Sequence, residues 1–190
     1  MPDIAGNPTG RAPVDLLLRF VNTRADAGGR TEQFGDAAGF NAWLAQSGLE
    51  AGEPIASAAD AASARELRDA LVTVMLAHSG DESLPAAAVD AAEQHLRRIA
   101  ARYPLVPVIT VDGAELISEQ TGVPGVFGTV LAAVTEFAQR GDWGRVKACR
   151  NPPCHFGFFD RTRNASGAFC SSGCRSQASM RAYRQRRKQS

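Results

Sequence analysis

A chain of 190 residues with 44% hydrophobic content has room for one ordinary core and a small appendage. Its many alanines and glycines follow no period, which excludes collagen-like and solenoid architectures, and no apolar run nears the roughly 20 residues that span a bilayer. The net charge of +1 hides a split: residues 140–190 hold ten Arg and two Lys against Asp142 and Asp160, a net +10, which leaves −9 on the remainder. An acidic body with a basic end points to an anionic partner, nucleic acid first, or to a body that docks its own tail. The opening MPDIAGNPTGRAPVD lacks the basic-then-apolar order of a secretory signal, so a cytoplasmic protein with reduced thiols is expected.

Residues 1–12, rich in Pro, Gly and Asn, are expected to fray. The short apolar run VDLLLRFVNT, 14–23, fits a helix or a buried strand, with helix preferred, and is followed by a loop over 24–36 with Gly28 and Gly29 as breakers. Phe40, Trp43 and Leu44 at i, i+3, i+4 predict a short helix over 36–47 that stops at Gly48. The clearest helix covers 58–78, with Leu67, Ala70, Leu71, Val74 and Met75 in one stripe and Ser63/Glu66 spaced as a capping box. A further helix runs over 85–102, opened by Pro85, with Val89, Ala92, Leu96 and Ile99 on one face. LVPVITVDGAELI, 105–117, places β-branched residues around Asp112-Gly113, a hairpin signal, with Pro107 confined to an edge strand. Residues 125–139 return to helix, with Val126, Val130, Leu131, Val134 and Phe137 inward. Composition and charge shift at GDWGR, 141–145. The fold expected is therefore mainly α with a small β-hairpin. Residues 1–140 form a helical domain, and 145–190 form a small C-terminal unit of knuckle, hairpin and basic helix.

All four cysteines lie in that last unit, spaced C149-x4-C154-x15-C170-x3-C174. Two close pairs separated by about 15 residues suit a structural zinc site, because two tight turns can each present two thiolates to one tetrahedral ion. The stretch between the pairs reads as a hairpin: Phe156 and Phe158 alternate, Asn164 to Gly167 supply the turn, and Phe169 returns. Ser171 or Ser172 can cap a helix with Cys174 in its first turn. About 45 residues with so few apolar side chains cannot fold on burial alone, and zinc supplies what is missing. A redox switch is the competing reading, weakened by the lack of C-x-x-C. His155 could replace a thiolate or simply stand beside a complete set. Four available thiolates leave no open position for a catalytic water. No nucleophile-and-base pair or phosphate loop is present, so the chain reads as a binding protein and not an enzyme.

Beyond Cys174, RSQASMRAYRQRRK is uninterrupted by Pro or Gly and predicts a helix to about Arg187. Arg181, Arg184 and Arg187 fall near one face, with Arg161 and Arg163 in the preceding hairpin adding to the array, and Met180 and Tyr183 are placed to pack on the metal unit. Such an array suits phosphate contacts with counterion release.

Two stretches resemble one family. Cys149, Cys154, Phe158, Asp160, Thr162, Arg163, Asn164, Cys170 and Cys174 match the pattern of the CGNR zinc finger, a bacterial module with a basic helix. RFVNT, 19–23, and ARELRDAL, 64–71, are similar to the opening and a helix of the ABATE domain that precedes this finger. The eponymous C-G-N-R is C-R-S-Q here, at 174–177. Gly167, Ala168 and Phe169 stand where relatives carry Arg and Trp, and Arg19 stands where they carry Asp. The resemblance implies a stress-induced transcription regulator that uses zinc and binds DNA. DNA contact would then come from Arg163, Arg181, Arg184 and Arg187. The N-terminal domain is the place for a small-molecule effector or a homodimer contact. Asn22, Thr23 and Trp43 could line such a pocket, but fit core and capping roles better. The alternative is a zinc-stabilised module whose basic helix meets an acidic protein.

Overall fold

The computed structural model describes residues 11–26, 29–49 and 55–189. The expectations for residues 1–10 and for Gly28 lie outside these. The described residues fold into six α-helices and two two-stranded sheets: α1 Arg11–Val21, α2 Ala37–Gln46, α3 Ala58–His78, α4 Ala86–Arg102, β1 Val106–Thr110, β2 Gly113–Ile117, α5 Gly122–Gln139, β3 Val146–Ala148, β4 Gly157–Phe159 and α6 Ser172–Gln189. The mainly α architecture with small sheets is the one read from the sequence.

Helix α3 is the axis of the fold, with α1, α2, α4 and β3 packed around it. Its buried residues therefore exceed the one stripe the spacing suggested. Ala61, Ala64, Leu67, Leu71, Val72 and Met75 are all at most 2% exposed, and the two alanines let neighbours approach closely. The helix starts earlier than the expected Ser63/Glu66 box. Ser57 is the N-cap, its hydroxyl accepting from the Asp60 N–H while the Asp60 carboxylate accepts from the Ser57 N–H. Asp at this position performs the reciprocal capping that Glu usually does, so two boxes of similar chemistry lay six residues apart. Helix α5 begins three residues ahead of the expected start. Pro124 sits in its first turn, where a missing N–H costs no helical bond.

An aromatic cluster fills the space between α1, α2 and α3. Phe20, Phe34, Phe40 and Trp43 pack with ring centroids 5.0–6.3 Å apart. Trp43 is thus a core residue, and Thr23 turns its hydroxyl back onto the Phe20 carbonyl at 2.7 Å. Against this cluster lies one buried charge, Arg68, 2% exposed. It is paired with Glu32 at 2.6 Å and Asp69 at 3.1 Å and lies 5.6 Å from the Phe34 ring.

The hairpin pairs Val106 with Ile117 and Thr110 with Gly113, so the two-residue loop is Val111-Asp112, with Gly113 at φ +152° just past it. Both its strands are edges, which is why Pro107 is tolerated in β1. The break at 141–145 is a short 3₁₀ turn, Trp143–Arg145. Beyond it the chain stays in contact with the helical domain: β3 packs on α3, and Val146 and Ala148 belong to the main core.

Candidate metal centre and cationic helix

The C-terminal unit is built on β3 and β4, which pair antiparallel with Val146 opposite Phe159 and Ala148 opposite Gly157. The strand that pairs with β4 thus precedes the first cysteine; the expected return strand over 164–169 does not form. Its place is taken by a loop folded around Asp160. One carboxylate oxygen accepts from the Thr162 N–H (2.9 Å) and hydroxyl (2.7 Å); the other accepts from Lys147 Nζ (2.9 Å) and the Gly167 N–H (2.7 Å). Lys147 also donates to the carbonyls of Ala165 and Gly167. Both side chains of this ion pair are at most 4% exposed. A Cβ on Gly167 would come within 2.8 Å of the Asp160 carboxyl carbon, so only glycine fits there. The Lys147 ammonium and the donors from Thr162 and Gly167 outweigh the burial penalty and hold Asp160 well below the usual carboxylate range. Arg145 closes the loop from outside, donating to Asp160 O at 3.1 Å and Thr162 O at 2.8 Å.

This scaffold presents the cysteines. Cys149 follows β3, and its N–H donates to Phe156 O at 3.0 Å; Cys154 closes the turn by donating to Asn151 O at 2.7 Å. His155, just past it, is left-handed at φ +44° and lies outside the ligand set. From the other side, the Cys174 N–H donates to the Ser171 hydroxyl at 3.2 Å, so Ser171 caps α6 and Cys174 sits in its first turn, as the spacing required. The four sulfur atoms lie within 4.8 Å of one another, all as free thiols. Cys154 to Cys170 and Cys170 to Cys174 are each 3.7 Å apart. A tetrahedron with bonds of about 2.3 Å has edges of about 3.8 Å, so the donor set fits a zinc ion with four thiolate ligands.

Burial, reinforced by the neighbouring Cys149, pushes the Cys154 thiol up to about 11 and raises Cys170 further. Burial works the same way on Cys174, but donors from Asn151 and Ser171 outweigh it and bring this thiol down to about 7. Four thiolates this close repel one another, so a divalent cation must replace the protons, and affinity falls as pH falls. Bound zinc supplies a cross-link between the β3–β4 knuckle and the start of α6.

Helix α6 runs 18 residues with Arg175, Arg181, Arg184, Arg186, Arg187 and Lys188 and no acidic residue. Arg184, Arg187 and Lys188 are exposed, as is Arg163 in the Asp160 loop. Arg181 is differently placed. Its guanidinium donates to Pro152 O at 2.8 Å and to the Asn151 side chain, while Asn151 donates to Gln177 at 2.9 Å. Arg181 thus ties α6 to the knuckle. Met180 and Tyr183 do not pack on the metal unit as expected; each is 56% exposed, because the face of α6 that meets the knuckle is the one carrying Cys174, Gln177 and Arg181.

Sequence reasoning missed Lys147, Arg30 and the role of Asn22. A lone lysine between Val146 and Ala148 was a signal of a buried charge, but nothing in the local pattern named its partner.

Residues 15–139 match the ABATE family, described as "Putative stress-induced transcription regulator", and residues 145–187 match the CGNR zinc finger. No curated protein matches the chain. With the four thiolates gathered at the spacing of a zinc tetrahedron, the chain belongs to the ABATE family and carries its zinc finger of the CGNR type at the C-terminal end.

Proposed function

We propose that this protein is a cytoplasmic DNA-binding transcription regulator in which the zinc finger projects α6 onto the phosphate backbone. The observation that carries the reading is α6 itself: six cations on 18 residues, no acidic residue in the helix, and a cysteine of the four-thiol cluster in its first turn. Phosphate contact by a pre-fixed helix releases counterions without first ordering the chain. Arg184 and Arg187 of α6, with Arg163 of the Asp160 loop, are the contacts; Arg181 positions the helix. The protein binds and does not catalyse. Among the described residues, no helix is long and apolar enough to cross a membrane. A small-molecule effector would find an open groove of about 920 Å³ between α1 and β4, lined by Leu18, Arg19, Asn22, Phe158 and Arg161.

The exposed Met180 and Tyr183 favour one second reading, an acidic protein partner that also makes apolar contacts. Competition separates the two. Zinc-loaded protein is bound to labelled duplex DNA and challenged with polyglutamate of equal charge. Retention of the DNA supports the regulator; displacement at matched charge supports the acidic partner.

A further inference from the structure

We infer that Asn22 and Arg30 of the N-terminal domain are positioning residues for the zinc knuckle, so that metal binding and the fold of that domain are thermodynamically coupled. The inference rests on zinc at the four thiolates and is independent of DNA binding.

The chain leaves α1 at Val21, and the next residue makes a two-bond clamp on the finger. Asn22 Nδ2 donates to Gly157 O at 3.0 Å, and the Gly157 N–H donates to Asn22 Oδ1 at 2.7 Å. A side-chain amide thereby satisfies both backbone groups of the first residue of β4. The approach is close enough that a Cβ on Gly157 would lie 2.6 Å from Val21 Cγ2 and 3.0 Å from Met75 Cε. Arg30 reaches the same place from the following loop. Its Nη2 donates to the carbonyl of Cys154, a ligand residue, at 2.6 Å, and its Nη1 to Asn22 Oδ1 at 3.3 Å. Asp26 fixes the guanidinium at 2.9 Å, and the Phe156 ring lies beneath it at 4.9 Å. On the opposite flank, Ser79 at the end of α3 donates to Ala148 O, one residue before Cys149, at 2.6 Å.

The knuckle from Cys149 to Cys154 is thus held at Ala148, Cys154 and Gly157 by three side chains 69 to 135 residues away in sequence. Residues that orient a metal ligand without touching the ion typically change affinity 10–100-fold. Here those residues belong to the helical domain, so by linkage the ion in turn favours the folded arrangement of that domain that places them.

The test uses the full chain and zinc competition against a chromophoric chelator, with circular dichroism to confirm folding. Arg30→Met and Asn22→Ala should each weaken zinc binding about 10–100-fold. Asn41→Ala is the control. It removes bonds to Ala37 O and Ala56 within the N-terminal domain and away from the finger, and should leave zinc affinity within about twofold of wild type. The Arg30 side chain is 24% exposed, so Arg30→Met decides the matter if Asn22→Ala does not fold. Zinc affinity of Arg30→Met within twofold of wild type overturns the inference, as does an equal loss in Asn41→Ala, which would make the effect one of general stability. A wild-type protein that binds no zinc would instead overturn the metal centre itself.

Discussion

The two halves of the finger are built on opposite terms. The half made of β3, the Cys149–Cys154 turn and β4 packs on the N-terminal domain through β3: Val146, Ala148 and Cys149 are at most 1% exposed, and an ion pair with only 1–4% of its side chains exposed folds its loop. The other half, α6, stands in solvent, tied back through Cys174, Gln177 and Arg181. Charge follows the same division. Lys147 is surrounded by acceptors, whereas Arg184 and Arg187 have none of the finger's carboxylates beside them. Lys147 in the first half makes the structure, and Arg184 and Arg187 in the second are exposed. Their sequence context, basic residues close to cysteines, is the same in both.

The largest effect that would sharpen this contrast is removal of zinc. Zinc-finger peptides draw about 10–16 kcal/mol from the metal, and an isolated helix of 18 residues is marginal in water. Chelation, or Cys170→Ser, should melt α6 while β3 stays on α3. Amide exchange should then show protection lost over 170–189 and retained at 146–148. Loss of protection across both segments at once would erase the division.

Next in size is the buried ion pair. Asp160→Asn leaves the Lys147 ammonium enclosed without its counterion and should cost about 3–5 kcal/mol, read from denaturant unfolding of the zinc-loaded protein. The pH dependence has a definite sign. Asp160 is held below its unfolded pKa of about 3.9, so its contribution is complete above that value and is lost as pH falls toward the folded pKa. Glu32, lowered against burial by Arg68, acts in the same direction. Wild-type stability should therefore fall below about pH 4, and the Asp160→Asn curve should be flatter there.

Smaller still is the effect of one methyl group. Gly157→Ala would press on Val21 and Met75 and should cost about 1–3 kcal/mol. Gly144→Ala, with nothing within 4 Å of its Cβ, should stay within about 0.5 kcal/mol. Equal effects at the two sites would mean that the packing at Gly157 is looser than its contacts indicate.

How much was legible in the sequence follows the range of the interactions. Local patterns mark the helices and the first hairpin: Phe40, Trp43 and Leu44 name their own face by spacing, α6 is a run free of Pro and Gly, and the hairpin is announced by its Asp-Gly pair. The four ligands were readable because metal geometry dictates short spacings, and Cys174 needed only Ser171 three residues earlier. The finger's strand pairing was not legible. Phe156 and Phe158 alternate equally well whether their partner lies before or after them, and the buried Lys147 decides it by drawing the 160–167 loop inward. Arg181 was read with Arg184 and Arg187 from shared helical spacing, but spacing says nothing of Asn151 and Pro152, whose oxygen atoms capture it. Asn22 likewise meets Gly157 across 135 residues, beyond the reach of any local pattern.

The central claim, that Arg184 and Arg187 of α6 meet phosphate while Arg181 is held by the knuckle, is tested most directly by the salt dependence of DNA binding. Zinc-loaded wild type, the Arg184→Ala/Arg187→Ala double variant and Arg163→Ala would be compared across a salt series. Each lost phosphate contact should reduce the log–log slope by about 0.9. The double variant should therefore fall by about 1.8 and Arg163→Ala by about 0.9, with folding unchanged. A double variant that keeps the wild-type slope, or a zinc-loaded wild type that binds no DNA at low salt, would contradict the account and turn α6 toward an acidic protein partner.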